Sequence, residues 1–588
     1  MTAPRGSSEP AALPGELSAL VDGVVARTKL WRRERAEVRR ELIAHFADGL
    51  ESGAGAAELR ENFGDPRAAA KLIRRSKKRN RPLWWRAAAG AAKTGAKAGV
   101  CVLALLFIAY AAMFVLYNTG KPNVARNYVA EMRAEVEAIP MEDRAWPVYL
   151  RAVRALRENG FDQKKDHGAW QIAETRQEAM AWVERHQEGI ALIREAASKP
   201  ALGYPVSPEV DPRLTAIYDE FSAQATPVSS QTAENPEVVS ILLPYLGELR
   251  RMATMLWADT QAAFDASDGQ RAEQNIHALF AIAEQVREGS YLISDMVGVA
   301  IAGLAMQTVR EAIADAPDLL DDSALRRIAH RMSAFPASGR VIRLDGERIF
   351  MDDFLQRFYT DDGKGGGLPT HEGMRLLASL SSGPGAPVMP GASDRFLGPV
   401  SIATYANRRE LKAEYERLIG LTLAESQKPL WQQDLSPLDQ QMESLGSDFR
   451  ARQKYMILYI LMPALGNALR QGELFEMSRD ATAAAIAAEL HRRRTGAWPT
   501  SWDEMVPDLL PSSPLDGMSG GPMGLRVKDG RLWIYGVGAD KDDDGGVWPL
   551  DADGRVINDA ARRWRPGRPE EAVDGDWVLF PPPPRIDD

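Results

Sequence analysis

The run AGVCVLALLFIAYAAMFVLY, Ala98 to Tyr117, holds twenty consecutive residues without a charge. At ~1.5 Å rise per residue such a run makes a helix about 30 Å long, the thickness of a bilayer's hydrocarbon core. The competing assignment is a buried core helix, and the flanks weigh against it. On one side the chain carries Arg67, Lys71, Arg74, Arg75, Lys77, Lys78, Arg79, Arg81, Arg86, Lys93 and Lys97 with no acid among them. On the other, Lys121, Arg126 and Arg133 are balanced by Glu131, Glu135 and Glu137. Positive charge stays on the cytosolic side. The sequence therefore predicts a single-pass inner-membrane protein with one transmembrane helix over 98–117, a cytoplasmic N-terminus and an extracytoplasmic, periplasmic bulk. The run lies too far along the chain for a cleaved signal peptide and is expected to act as an uncleaved signal anchor. The basic juxtamembrane segment 77–97 is expected to contact anionic inner-membrane lipids, with Trp84 and Trp85 at that interface or packed within the juxtamembrane helix. Two other apolar stretches, Met296–Val309 and Tyr455–Leu465, are too short to span and are expected as core helices.

A chain of 588 residues exceeds what one hydrophobic core usually serves, so several domains are expected. The net charge of -9 argues against a general nucleic-acid binder. Cys101 is the only cysteine and sits inside the apolar run, which excludes intramolecular disulfides, a thiolate zinc cluster and an external Cys/His pair. The expected fold is mainly α. Residues 1–12 are expected to be disordered and 13–76 to form a cytosolic helical domain. After the span, 118–472 should be a large helical region, 473–580 a small α+β module and 581–588 a proline-rich tail.

Within 13–76, Val38, Leu42, Ile43, Phe46 and Leu50 recur at helical spacing. Gly53 and Gly55 break that helix; Leu59 and Phe63 form a short apolar face that Gly64 stops. Asp65-Pro66 starts the next helix, with Asp at the N-cap and Pro in the first turn. Ala69, Leu72 and Ile73 are expected on its buried side. The text EVRRELIAHFADGLESG…AELRENFGDPRAAAKLIRR, Glu37 to Arg75, resembles the HAAS-type helical domains of bacterial membrane proteins. Those modules run helix, Glu-x-Gly turn, helix, Phe-Gly-Asp-Pro and a final helix before a membrane segment. The resemblance implies a cytosolic module of signalling or regulation without catalysis. The Gly/Ala-rich middle turn, Gly53 to Ala56, departs from the pattern.

Residues 119 to about 480 alternate helical stretches with joints at Pro140, Pro147, Pro200, Pro205 and Pro244. Arg250–Phe264 and Glu273–Val286 show packed-helix spacing, and Asp295 to Ala312 is apolar on nearly every side, as a central helix should be. No fixed-period repeat supports a solenoid. Asp361 to Ser393 is rich in Gly, Pro and Ser and is expected to be a long mobile loop. The histidines (His45, His167, His186, His277, His330, His371, His491) make no HExxH and no close pair. There is no Gly-x-Ser-x-Gly elbow, Walker loop or dinucleotide-binding glycine loop. Asp352-Asp353 is read as a solvated face rather than a pair of glycosidase carboxylates. His277, between Ile276 and Phe280, is read as a satisfied core or groove histidine.

Toward the C-terminus, Glu473 to Arg494 is a strong helix with a small-residue face of Ala481, Ala484, Ala485, Ala488 and Leu490, ended by Gly496. Ser501-x-x-Glu504 is a capping box, and Asp529-Gly530 is a two-residue hairpin turn between Leu525–Lys528 and Arg531–Tyr535. This order, with Thr495-Gly496-Ala497-Trp498-Pro499, Pro514-Leu515-Asp516 and Tyr535-Gly536-Val537-Gly538-Ala539-Asp540, resembles the globular half of type II secretion pseudopilins. The resemblance implies a periplasm-facing assembly module, often with calcium in the loop after the last strand. Pseudopilins carry this fold directly behind their own N-terminal hydrophobic helix; here the anchor lies far upstream, which favours a reused domain over a fibre-forming pilin. The loop Asp540-Lys-Asp542-Asp-Asp544-Gly545…Asp551 has D-x-D-x-D-G spacing with an acid at position twelve. Calcium takes about six to eight oxygen ligands, and Asp540, Asp542, Asp544 and Asp551 are its expected carboxylates. The alternative is a solvated acidic turn. Asp574-Gly575-Asp576 is a second, less specific acidic turn.

The functional expectation is a membrane-anchored bacterial envelope protein with a structural, interaction or signalling role, not catalytic, that binds protein partners and no nucleic acid. The alternatives are an extracytoplasmic hydrolase with its site in the helical region and a type II secretion or pilin-like assembly component.

Overall fold

The computed structural model describes residues 13–160, 176–207, 237–238, 243–382, 392–433, 440–441, 443–444, 447–461, 463–551, 553–557 and 573–583. The expected disorder of 1–12 lies outside them, as do the side chains of Trp84 and Trp85. The chain is mainly helical with a small three-stranded antiparallel sheet and divides into two compact units, Met1–Tyr110 and Ala111–Asp588.

In the first unit four helices, α1 (Gly15–Thr28), α2 (Arg32–Glu51), α3 (Ala56–Phe63) and α4 (Pro66–Arg79), close on one small core. Leu17, Val21, Val24, Leu30, Val38, Leu42, Phe46 and Ala70 fill it, with Phe63 and Ile73 packed against them. Asp65 caps α4 through its carboxylate, which accepts from the amides of Arg67 and Ala68 at 3.0 and 3.1 Å. One expectation fails there. Ala70, not Leu72, points inward, and Leu72 is 65% exposed. On a 100°-per-residue helix the inward row runs 66, 70, 73, 77, which turns Leu72 away. The last helix to begin in this unit, α5 (Leu83–Thr119), contains the uncharged run.

The second unit is built around the helices Pro244–Asp265, Gly269–Val286 and Leu292–Asp315, which pack on one another, with Trp146–Glu158 and Gln187–Ala197 against them. Pro147 and Pro244 stand in first turns, where the missing N–H has no helical partner to lose. Leu292–Asp315 meets the length and hydropathy of a span, yet more than half of it is buried within the unit. Its Ile301, Ala302, Ala305, Met306 and Val309 share a core with Ala481, Ala484, Ala485 and Ala488 of the helix Pro463–Thr495. Small side chains let the two backbones approach, and the same core continues into Leu532, Ile534, Trp577 and Phe580 of the sheet. Residues 473–580 are therefore not packed separately from the helical region, and their first helix starts at Pro463 rather than Glu473.

The expected mobile loop over 361–393 is also corrected. His371–Ser382 is a helix, and its Leu376 and Leu377 are buried in a second core with Phe354, Phe358 and Leu418. Before it, the carboxylates of Asp361 and Asp362 accept from the amides of Gly363, Lys364 and Gly366, all at 2.8 Å, so the glycine-rich stretch is a tied turn. Residues 383–391 lie outside the described residues.

Candidate metal centre

The sheet explains how the acidic loop is held. β1 (Gly524–Lys528) and β2 (Arg531–Gly536) form the predicted hairpin, with Asp529 and Gly530 both at positive φ (53° and 72°) as a two-residue turn of this hand requires. Trp498 donates from its indole nitrogen to the Gly530 carbonyl at 3.1 Å, so the Trp-Pro motif clamps the turn. Asp516 is buried and accepts from the Met518 and Ser519 amides, each at 3.1 Å. A third strand, β3 (Trp577–Phe580), adds to the hairpin that the spacing predicts; it pairs antiparallel with β2, Gly536 opposite Trp577.

That pairing sets the site. The chain leaves β2 toward Asp540 and enters β3 from Asp574, so both acidic turns lie at one end of the same strand pair. Gly538 and Gly575 approach so closely that a Cβ at 538 would stand 2.1 Å from the Gly575 carbonyl oxygen. The Gly575 amide donates to Asp540 Oδ2 at 3.1 Å. As a result Asp540, Asp542, Asp544 and Asp574 can each offer a carboxylate oxygen, all within 4.8 Å of one another, on the exposed surface. Among the described residues no other grouping of His, Cys, Asp or Glu meets that condition.

Asp551 is not among them. Its carboxylate accepts from the Asp553 and Arg555 amides at 2.9 and 2.8 Å and closes a local turn. Linear spacing put it at position twelve of the loop, but the antiparallel neighbour Asp574 takes the place beside the other three. Asp543, between the clustered acids, turns the other way. Its Oδ1 accepts from the Tyr535 hydroxyl and the Gly545 amide, both at 2.9 Å. Burial works against its charge, but these donors and Arg526 outweigh it and hold the carboxyl below the usual range.

Two of the clustered acids move the opposite way. Burial first and then the Asp542 carboxylate raise Asp540; the same two causes, with Asp574 and Asp543 added, raise Asp544. Four hard oxygen donors that repel one another fit a divalent cation, and calcium's tolerance of irregular carboxylate and water ligation suits an exposed loop of this kind. Behind the loop, Asp576 is fully buried and accepts from the Gly546 amide at 2.7 Å. Burial raises its carboxyl to about 6. The fold thus binds this proton more tightly than the unfolded chain, so stability falls as pH climbs from about 4 to about 6, by roughly 2 kcal/mol. Asp576→Asn should flatten that slope in urea midpoints measured at pH 4.5 and 7; an undiminished slope would rule the group out as its source.

The other sequence candidates do not assemble. Asp353 is buried and its carboxylate accepts from the Val238 amide, Gln356 and Arg357, each at 2.9 Å, whereas Asp352 pairs with Lys412 at the surface. His277 pairs with Glu273 at 3.4 Å on the wall of an open groove, with Arg194, Gln274 and Arg331 nearby. Burial lowers its imidazole. A carboxylate that spacing did not single out is Asp259, fully buried among Arg194, Arg271, Gln187 and Asn275.

Comparison of the chain with models of protein families, with curated proteins and with solved structures found no match.

Proposed function

We propose that the protein is a single-pass bacterial envelope protein, anchored in the inner membrane, that works through contacts with other proteins and not through a reaction of its own. The observation that carries this reading is the uncovered apolar surface of α5. Val100, Leu103, Leu105, Leu106 and Phe107 are all exposed, Phe107 to 71%, and no acid or base interrupts them over a bilayer's width. The basic residues before the run support a cytosolic first unit that signals or regulates, as the HAAS resemblance implies. The larger unit would lie on the periplasmic side. A C-terminal alkaline phosphatase fusion is expected to be active and a C-terminal β-galactosidase fusion silent; the reverse pattern would refute the orientation.

The acidic centre belongs to this reading as a calcium site that ties the loop after β2 to the entry of β3, beside the interaction surface that the pseudopilin resemblance implies. Calcium at about 100-fold excess over its Kd would stabilise the full-length protein by ~2.7 kcal/mol. Its melting temperature in detergent should rise with calcium, and Asp542→Asn or Asp574→Asn should abolish the rise while Asp551→Asn preserves it. An unchanged melting curve in the parent protein would dismiss the site.

A further inference from the structure

We infer that residues 392–400 form a second membrane contact, an apolar wedge that enters the outer leaflet beside the end of the spanning helix; this rests on the span proposed above. The segment is a short helix, Ala392–Leu397, followed by a 3-10 turn, Gly398–Val400. It is fastened to the last turns of α5 at three points. The Phe396 ring lies 5.8 Å from that of Phe114. Asn118 Nδ2 donates to the Arg395 carbonyl at 3.3 Å. Gly398 lies against Tyr117 so closely that a Cβ would stand 2.3 Å from the phenol oxygen.

This fastening fixes depth. The uncharged run ends at Tyr117, so Phe114 lies about 4.5 Å inside its end. A ring packed on Phe114 is held near the boundary between headgroups and acyl chains, where interfacial helices bury an apolar face by ~5–10 Å. The segment presents what that position requires. Phe396, Leu397 and Val400 are 59%, 71% and 45% exposed, while Pro399 and Tyr117 are buried. Arg395 is exposed at the same place, where a guanidinium reaches phosphate. Val115 and Leu116 of α5 are also exposed, so the wedge continues the helix's own lipid-facing surface. Lipid of the same bilayer is therefore its occupant, and the contact would hold the larger unit against the membrane.

The test uses full-length protein with Cys101→Ser, which removes the only native thiol. Single cysteines at Leu397→Cys, Phe107→Cys and Val527→Cys carry an environment-sensitive NBD label. Each is placed in phosphatidylethanolamine/phosphatidylglycerol vesicles containing lipids with a doxyl group at acyl carbon 5 or 12. A label at 397 is expected to emit to the blue of one at 527, to lose most of its iodide quenching, and to be quenched more by the shallow doxyl than by the deep one. The label at 107 should favour the deep doxyl. If 107 is lipid-quenched while 397 is quenched by iodide as 527 is, the wedge is refuted and the span stands. A label at 397 shielded from iodide and untouched by either doxyl lipid would overturn the wedge in favour of a protein contact. Iodide access at 107 would overturn both.

Discussion

Arginine at both Leu105 and Ile108 should release the protein from the bilayer. Each arginine near the centre of a span costs about 3 kcal/mol, and the lost leucine and isoleucine add a few tenths each, for a total near 7 kcal/mol. That is about five orders of magnitude in partition. Both side chains are more than half exposed and, among the described residues, belong to no hydrophobic core, so the change should leave the folded bodies intact. The expected result is transfer from the alkaline-washed membrane pellet to the supernatant, with an unchanged helical circular dichroism spectrum. A double variant that still pellets with membranes would show that α5 is not the anchor. Loss of helical signal would show instead that α5 supports the fold.

The second large effect is expected at Asp259. Its carboxylate gathers Arg194 at 2.9 Å, Gln187 and Asn275 at 2.7 Å, and Arg271, and its side chain is completely buried. Asp259→Ala leaves two guanidinium groups facing each other without their counter-ion, and breaking a buried pair in this way costs about 3–5 kcal/mol. Asp259→Asn keeps acceptor and donor capacity and should lose less. Burial opposes the charge, but Arg271, Asn275 and Gln187 outweigh it, so the folded carboxyl titrates below its ordinary range. Its stabilising contribution is thus complete above about pH 4 and disappears as pH falls through the folded value. This sign is opposite to that of Asp576. Urea midpoints of the parent and of both variants at pH 7 and pH 3 would separate the two groups. An alanine variant within 1 kcal/mol of the parent would mean that the cluster is solvated and not structural.

These two sites sit at opposite ends of what one dimension can reveal. The uncharged run, the basic flank, the Asp65 cap and the Asp529-Gly530 turn are legible because each depends on neighbours within a few residues. A hairpin turn needs only two residues that tolerate positive φ, and a span needs only length without charge. Asp259 carries no such signal, since its partners Gln187, Arg194, Arg271 and Asn275 are spread over two other helices. The glycine- and proline-rich composition of 361–393 pointed to a loop, but the apolar residues Leu376 and Leu377 within it find a core and draw 371–382 into a helix.

The helices of the first unit, the uncharged run of α5 and the reversal at Asp529-Gly530 are each set within one short segment, by local dihedral preference and local hydropathy. Packing between distant segments puts Asp574 rather than Asp551 beside Asp540, Asp542 and Asp544. It also gives the C-terminal strands a core shared with Leu292–Asp315, and lays Phe396 on Phe114. Each of these is a meeting of segments distant along the chain, made by strand pairing or by burial of apolar surface; spacing along one segment marks which face is buried, but not which distant segment covers it.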